Sequence, residues 1–167
     1  MYCDSMCPRM AAADPSPEFE HALLINAAPT RVLAAFFDPH ALSVWWQVTR
    51  SVTTPRPMGV FAVEWAPTAD ADDLLGRLGG VFCGRVMDYQ PGRELFVADA
   101  WWLPPDGDPI GPMALEVTCR MSGPVCRLLV KQHGFEDTPR WRRYYAVIAG
   151  GWRSSLAALK DYVEHLE

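Results

Sequence analysis

The sequence predicts one α+β domain, over residues 18–167, in which a bent antiparallel sheet closes around a long C-terminal helix. Consecutive strand-like segments are joined by short turns, which favours an antiparallel meander. A helical pattern with one apolar stripe covers residues 139–166 and must bury that stripe against another element. A chain of 167 residues is long enough for one domain with its own core. Within such a domain the sheet is the large surface against which the helix can pack.

The first elements follow from proline positions and apolar alternation. Residues 1–17 carry three prolines and no periodicity, so we expect a flexible N-terminal tail. Alternating apolar residues then predict a first strand over residues 19–25. Pro29 and the Asp38-Pro39 pair each start a short helix, because proline suits the first helical position and aspartate is a good N-cap.

Five further strands are predicted between the short helices and the long one. Each is an alternating or continuous apolar run bounded by turn residues, as in Ser122-Gly123-Pro124. A loop rich in aspartate is expected over residues 66–78, with a helical turn at Leu74-Leu75 as an option. The predicted strands cover residues 60–65, 80–89, 95–102, 113–121 and 125–133.

The last helix has the clearest signal. Thr138 is a suitable N-cap and Pro139 a suitable first residue. Gly150-Gly151 interrupts the pattern, and each glycine costs about 1 kcal/mol relative to alanine inside a helix. The pair therefore predicts a bend, or a place where the sheet or a ligand approaches the helix backbone. The apolar stripe consists of Trp141, Tyr145, Ile148, Trp152, Leu156, Leu159, Val163 and Leu166.

Composition excludes several classes of partner and setting. The net charge of −5 argues against nucleic acid and against an anionic membrane surface, since both need a basic face. No apolar run approaches the roughly 20 residues of a membrane helix. The first residues have no secretory pattern and the five cysteines form no disulfide framework, so we expect a cytoplasmic protein. Arginine far outnumbers lysine, which suggests a bacterial source.

The aromatic residues are the main functional signal. Seven tryptophans and seven phenylalanines suit either an aromatic-lined pocket or a heavily aromatic core, and at any single position the core is favoured. Trp101 and Trp102 add weight to the pocket, because strand neighbours point to opposite faces and one of them needs a second buried environment.

Sites for chemistry are sparse. The acidic loop residues Asp70, Asp72 and Asp73 lack the pattern of a calcium loop, and no zinc-type spacing occurs, so no metal and no cofactor are predicted. No nucleophile, phosphate-binding or dinucleotide motif is present. Four ionisable residues in strand positions could instead project into a cavity, although solvent exposure is favoured for the first two: Glu64, Arg85, Asp99 and His133.

At this point the sequence resembles the START-like, helix-grip superfamily (the START/Bet v 1-like fold). Within it, the chain is similar to the SRPBCC-type branch named for the activator of Hsp90 ATPase, the AHSA1-like family. One likeness is the strand, proline-started helix and tryptophan pair over residues 25–46. The others are the Gly-Phe exit of the last strand in residues 128–135, and the G-W-x-x-x-L-x-x-L run of residues 151–159.

The resemblance implies a cavity between sheet and long helix that binds a small apolar molecule, without a universal catalytic motif, so we predict no catalytic residue. A polyketide-cyclase-type enzyme using the same cavity and a co-chaperone-like interaction module remain alternatives, and a homodimer is possible. We predict that the ligand is bound by Trp46, Phe61, Val63, Trp65, Phe82, Asp99, Trp101, Met113, Leu115, Trp141, Tyr145 and Trp152.

Overall fold

A large antiparallel sheet and a long C-terminal helix form the structure, a computed structural model that describes residues 17–166. Its strands are β1 (Phe19–Ile25), β2 (Arg50–Thr53), β3 (Val60–Trp65), β4 (Ala71–Asp72), β5 (Gly76–Arg77), β6 (Gly80–Gln90), β7 (Glu94–Leu103), β8 (Ile110–Ser122) and β9 (Val125–His133). Its helices are α1 (Pro29–Ala34), α2 (Pro39–Trp45) and α3 (Pro139–Glu164). The predicted fold class, including two short helices after the first strand, is confirmed.

Seven strands form the main sheet in the order β1-β9-β8-β7-β6-β3-β2, and every neighbouring pair is antiparallel. The sequential hairpins from β6 to β9 are the predicted meander. β2 was not predicted, because its four residues are too short to show a period. The aspartate-rich segment contains a separate hairpin of β4 and β5, where a loop was predicted.

Local capping chemistry explains where the helices begin. The Asp38 carboxylate accepts a hydrogen bond from the Ala41 amide at 2.7 Å, and the Thr138 hydroxyl accepts one from the Trp141 amide at 3.2 Å. In each case proline occupies the first turn, as predicted. These caps fix the residue at which α2 and α3 each begin.

The glycine pair within α3 does not interrupt the helix, which continues from Pro139 to Glu164. A Cβ atom added at Gly150 or Gly151 would meet no neighbouring atom within 4 Å. The predicted close approach of the sheet to this backbone is therefore wrong. Both glycines are instead exposed on the helix surface.

A β-bulge in β7 changes which side chains face inward. Asp99 has a φ of 48°, and the register with β8 shifts between Val97 and Ala100. Val97 is buried before the bulge, whereas Ala100 and Trp102 are buried after it. Because the bulge adds one residue, Trp102 faces the interior and Trp101 does not, which reverses the parity expected from strict alternation.

Two predictions from the sequence concern the N-terminal tail and membrane-spanning helices. The predicted flexible tail, residues 1–17, lies outside the described residues except for Pro17. Within the part that is described, no helix combines the length and apolar character needed to cross a membrane.

Candidate functional site

A cavity of about 340 Å³ lies between the N-terminal half of α3 and the sheet. Its size falls near the lower end of the roughly 300–1,000 Å³ typical of small-molecule sites. The residues around it are apolar or uncharged polar, and several are aromatic. They are Trp46, Gln47, Trp65, Ala66, Thr68, Leu75, Leu78, Gly79, Phe82, Trp102, Gln132, Tyr144, Val147, Ile148, Gly151, Trp152 and Ser155.

Three tryptophans from three elements meet on one side of the cavity. The Trp46 ring, at the end of α2, lies 4.7 Å from the Trp152 ring of α3 and 5.1 Å from the Trp65 ring of β3. Trp46 also stacks on Trp45, with ring centroids 4.9 Å apart and planes within 8°. Such aromatic contacts add about 0.5–1.5 kcal/mol each beyond area burial, so they hold this side of the cavity rigid.

Hydrogen bonds fix the orientation of three of the indole rings. The Nε1 groups of Trp65 and Trp102 each donate at 2.8 Å to a backbone carbonyl, that of Trp46 and that of Gly79 respectively. Trp152 Nε1 donates at 2.8 Å to the side-chain oxygen of Gln132. With their N–H groups occupied in this way, these rings present apolar faces to the cavity.

A flap, defined here as residues 66–79 and containing the β4–β5 hairpin, covers one side of the cavity with Leu75 and Leu78. Asp72 organises its turn, since one carboxylate oxygen accepts hydrogen bonds from the Leu74 and Leu75 amides at 3.0 and 3.1 Å. The other oxygen accepts from Arg143 of α3 at 2.6 Å. These bonds hold the pKa of the Asp72 carboxyl below its ordinary value, the Arg143 bond contributing most.

A second ion pair attaches the flap to the loop that follows β7. Arg77 donates to the Asp106 carboxylate at 2.8 Å, and this contact ties β5 to the loop after β7. Both ion pairs are surface interactions, and such pairs are typically worth little in stability. The flap is therefore held over the cavity mainly by the burial of Leu75, which is 2% exposed, with the two ion pairs fixing its position.

A short polar chain crosses the interior beside the cavity. Gln132, which is 2% exposed, accepts from Trp152 Nε1 at 2.8 Å and donates to the Tyr144 hydroxyl at 2.9 Å. The same amide nitrogen donates to the Met113 sulfur at 3.3 Å. Burial raises the pKa of Tyr144 above its ordinary value of 10.0, and the hydrogen bond from Gln132 only partly opposes this shift. The phenol is consequently protonated at neutral pH.

The structure brings four of the twelve predicted ligand-binding residues to the cavity. Trp46, Trp65, Phe82 and Trp152 all border it. They come from the end of α2, the neighbouring strands β3 and β6, and α3, so residues distant in sequence meet at the cavity.

Four other predicted residues lie in the packed core. Phe61 and Val63 of β3 are buried, and the Phe61 ring is covered edge-on by Phe37 at 5.9 Å. Met113 and Leu115 of β8 are also buried, Met113 beneath Gln132. Their side chains face inward, but other side chains cover them before the cavity begins.

The remaining four lie at the start of α3 or on the outside of the sheet. Tyr145 and Trp141 pack against the exit of β9, where the Tyr145 hydroxyl donates to the Gly134 carbonyl at 2.7 Å. Asp99 accepts from Trp101 Nε1 at 3.0 Å on the outer face, beyond the bulge. The Trp101 ring covers Gly111, where an added Cβ would lie 2.6 Å from it.

Several cavity residues were missed in the sequence. Trp102 was missed because the bulge at Asp99 is invisible to a rule of strict alternation. Tyr144 was passed over in favour of Tyr145, although helical spacing from Ile148 allows either. The flap residues Leu75 and Leu78 gave no signal, because the segment around them is polar and short of any period. For Gln132, the alternation of apolar residues in β9 predicts only that the side chain faces inward, and not that it borders a cavity.

The charged candidates stand apart from the cavity. Glu64 pairs with Arg50 at 2.6 Å, and His133 lies 3.0 Å from Glu116, both on half-exposed or exposed surface. Arg85 donates to the Met58 carbonyl at 3.4 Å. Among the described residues that border the cavity, none is an acid, lysine, arginine or histidine. Residues 17–166 also contain no cluster of three or more potential metal ligands.

The geometry agrees with an independent comparison with protein families. The sequence pattern of one family, described as activator of Hsp90 ATPase homolog 1-like protein, matches residues 26–164. The chain belongs to this family. The match begins directly after β1 and includes every element that contributes to the AHSA1-like cavity. A search of curated proteins found no match.

Solved structures of several bacterial proteins show the same AHSA1-like fold. A protein from Mesorhizobium loti has a TM-score of 0.67 at 20% identity, over 90% of this chain and 98% of that one. A protein from Chromobacterium violaceum has a TM-score of 0.64 at 24% identity, over 89% of this chain and 97% of that one. The solution structure of the Aha1 dimer from Colwellia psychrerythraea has a TM-score of 0.62 at 14% identity, over 89% of this chain and 96% of that one. At these identities the likeness establishes the fold alone.

Proposed function

We propose that this AHSA1-like protein binds a small hydrophobic molecule in the cavity beneath the flap. START-like folds commonly bind hydrophobic ligands. The observation that carries the proposal is the unfilled volume of about 340 Å³ at the place where Trp46, Trp65, Trp102 and Trp152 converge. Aromatic rings held by hydrogen bonds form such a surface without collapsing into it, and an apolar guest would gain from the area removed from water.

The character of the cavity favours binding over the two alternatives. A polyketide-cyclase-type enzyme would need an acid or base facing the bound molecule, and the candidate acids, bases and histidine of the sequence lie on the outer surface. An interaction module would fill this interior with side chains and use its outer face. The unfilled volume bordered by the buried residues Trp46, Trp102 and Tyr144 supports the binding proposal against that second alternative.

The adjacent glycines of α3 allow a matched test. Gly151 borders the cavity and Gly150 does not, while an added side chain would meet open space at either position. We expect fluorene, a flat apolar probe, to quench tryptophan fluorescence saturably in wild type and in Gly150→Phe. Gly151→Phe should lose this binding, because its ring would occupy the cavity. Equal binding by both variants, or none by wild type, would contradict the proposal.

We also propose a homodimer in the bacterial cytoplasm as the working state. The Colwellia psychrerythraea protein, solved as a dimer, has the same fold. In this chain the edge strand β2 exposes Val52, which is 64% exposed, and Met58 nearby is 62% exposed. Sedimentation equilibrium would report the mass directly. If this edge pairs, Val52→Glu should shift a dimer to monomer, whereas a monomeric wild type would contradict the proposal.

A further inference from the structure

The polar chain beside the cavity has a fixed direction. An indole N–H can only donate, so the Gln132 atom that lies 2.8 Å from Trp152 Nε1 is the amide oxygen. This places the amide nitrogen toward Tyr144 and Met113, at 2.9 and 3.3 Å. An amide NH₂ group only donates, and its two hydrogens are both used by these contacts. The Tyr144 oxygen therefore accepts, and the chain runs from Trp152 through Gln132 to Tyr144.

The end of this chain is an unused donor. A phenol carries one proton, and the bond from Gln132 leaves that proton free. Within residues 17–166, no atom accepts a hydrogen bond from the Tyr144 hydroxyl. Tyr144 is 4% exposed, and both it and Gln132 border the cavity. The space in which this proton can find an acceptor is accordingly the cavity itself.

We propose that the bound molecule carries a neutral hydrogen-bond acceptor, such as a ketone, ester or ether oxygen, and that the Tyr144 hydroxyl donates to it. This inference rests on the proposed ligand-binding function and adds the chemical class of the ligand. It makes Tyr144 the residue that distinguishes an oxygenated aromatic molecule from the corresponding hydrocarbon.

The surroundings argue for a neutral acceptor rather than a carboxylate. Burying a carboxylate is costly unless a cation accompanies it, and no cationic side chain is among the described residues around the cavity. A phenol that stays protonated is suited to donating to a carbonyl. The N–H groups of Trp65, Trp102 and Trp152 already have protein acceptors, so they do not compete for the ligand.

The Trp46 indole N–H is a second buried donor beside the cavity for which the described residues offer no acceptor. It belongs to the stacked tryptophan cluster, whereas Tyr144 lies across the cavity on α3 and contacts Trp102 at 5.5 Å. The two donors can be separated by single substitutions that preserve an aromatic ring. Trp46→Phe and Tyr144→Phe each remove one polar hydrogen and leave the other in place.

The test compares two probes of nearly equal shape, fluorene and 9-fluorenone, which differ by a carbonyl. Affinities would be measured by tryptophan quenching for wild type, Trp46→Phe, Tyr144→Phe and Tyr145→Phe. Loss of a donor to a buried carbonyl is expected to weaken fluorenone about tenfold in Tyr144→Phe and to leave fluorene within about twofold. Tyr145→Phe is the matched control, since the Tyr145 proton already bonds to Gly134 and the residue lies outside the cavity.

The outcomes separate the inference from the function on which it rests. Saturable binding of both probes, with fluorenone unaffected by Tyr144→Phe or weakened only by Trp46→Phe, would overturn the inference alone. No binding of either probe to wild type would overturn the proposed function as well. If Tyr144→Phe does not fold, the infrared carbonyl stretch of fluorenone bound to wild type decides. A shift to lower frequency than in an alkane supports the donor, and no shift overturns it.

Discussion

The two halves of α3 contact the same sheet in different ways. Toward its C-terminus, the buried face of the helix consists of Leu156, Leu159 and Val163, each with no exposed surface. Toward its N-terminus, the corresponding face borders the cavity with Tyr144, Ile148 and Gly151. One helix therefore forms a closed interface at one end and an open one at the other. The difference shows that a single apolar stripe does not by itself imply a filled core.

The covering elements explain this difference. At the closed end, α1 lies over the interface with fully buried Val32 and Leu33, and branched aliphatic side chains pack to high density there. At the open end, the cover is the flap of residues 66–79, whose β4 and β5 strands have two residues each. Large aromatic rings held by hydrogen bonds stand around the remaining space without filling it.

The largest expected effect lies at the closed end. Leu156→Ala should destabilise the protein by about 3 kcal/mol, since the lost side chain leaves a cavity in a packed region. Ile148→Ala, two turns earlier on the same helix, should cost about 1 kcal/mol or less, because its side chain already has open space on one side. Urea denaturation of both variants would measure the contrast. Equal costs would show that the two halves are packed alike.

The polar chain offers the next largest effect, at the boundary between the halves. Gln132→Leu removes the acceptor of Trp152 Nε1 and leaves a buried donor unpaired, which should cost about 2 kcal/mol. The free energy of unfolding from urea titration is the measurement. Lys131, the neighbour of Gln132 on the outer face of β9, gives the control through Lys131→Leu, for which we expect little change. An unchanged free energy of unfolding in Gln132→Leu would mean that the hydrogen bond to Gln132 does not hold Trp152.

The glycine pair gives a smaller effect of opposite sign. Gly150→Ala should stabilise the protein by about 1 kcal/mol, because alanine has the higher helix propensity and its Cβ meets open space. Gly151→Ala should stabilise by a similar amount but reduce the room available to a ligand. Thermal unfolding without and with fluorene would separate the two. A loss of stability at Gly150 would indicate a close approach that the structure lacks.

The smallest effect concerns the flap, and it is kinetic. Arg143 holds the pKa of Asp72 below its ordinary value of 3.8, so the ion pair is complete above that value and is lost only as pH falls through the lower folded-state pKa. Dissociation of fluorene from wild type should therefore be flat at neutral pH and accelerate only as the pH falls below 3.8, the ordinary carboxyl value. Arg143→Met should dissociate fluorene faster at neutral pH, with little change in stability. Stopped-flow fluorescence would measure both rates, and identical rates would exclude a role for the flap in retention.

The closed end of the molecule could be predicted well from the sequence, because its signals are local and periodic. The proline-started helices α1 and α2, the meander and the stripe through Leu156 and Leu159 all follow from spacing and capping chemistry. At this end of the molecule, tertiary packing agrees with the secondary structure that each segment prefers by itself. The family resemblance agreed with this part and is confirmed by the match over residues 26–164.

The open end could be predicted only in part, because its residues are positioned by features without a period. One extra residue at Asp99 turns Trp102 inward in place of Trp101, and alternation cannot reveal it. The flap has no apolar pattern, yet Leu75 is fully enclosed by residues distant in sequence. The choice between Tyr144 and Tyr145 depends on the rotation of α3 against the sheet. Tertiary geometry, rather than local preference, decides each of these three.

The most direct test of the account is the location of a bound probe. The protein would be crystallised with 2-bromofluorenone, and anomalous scattering from bromine would mark the position of the molecule. We expect bromine density within the cavity between Trp46, Trp152 and the flap, with the ketone oxygen within hydrogen-bonding distance of Tyr144. Density at the outer face of the sheet, with the cavity left empty, would contradict the central claim that the open half of α3 forms a ligand site.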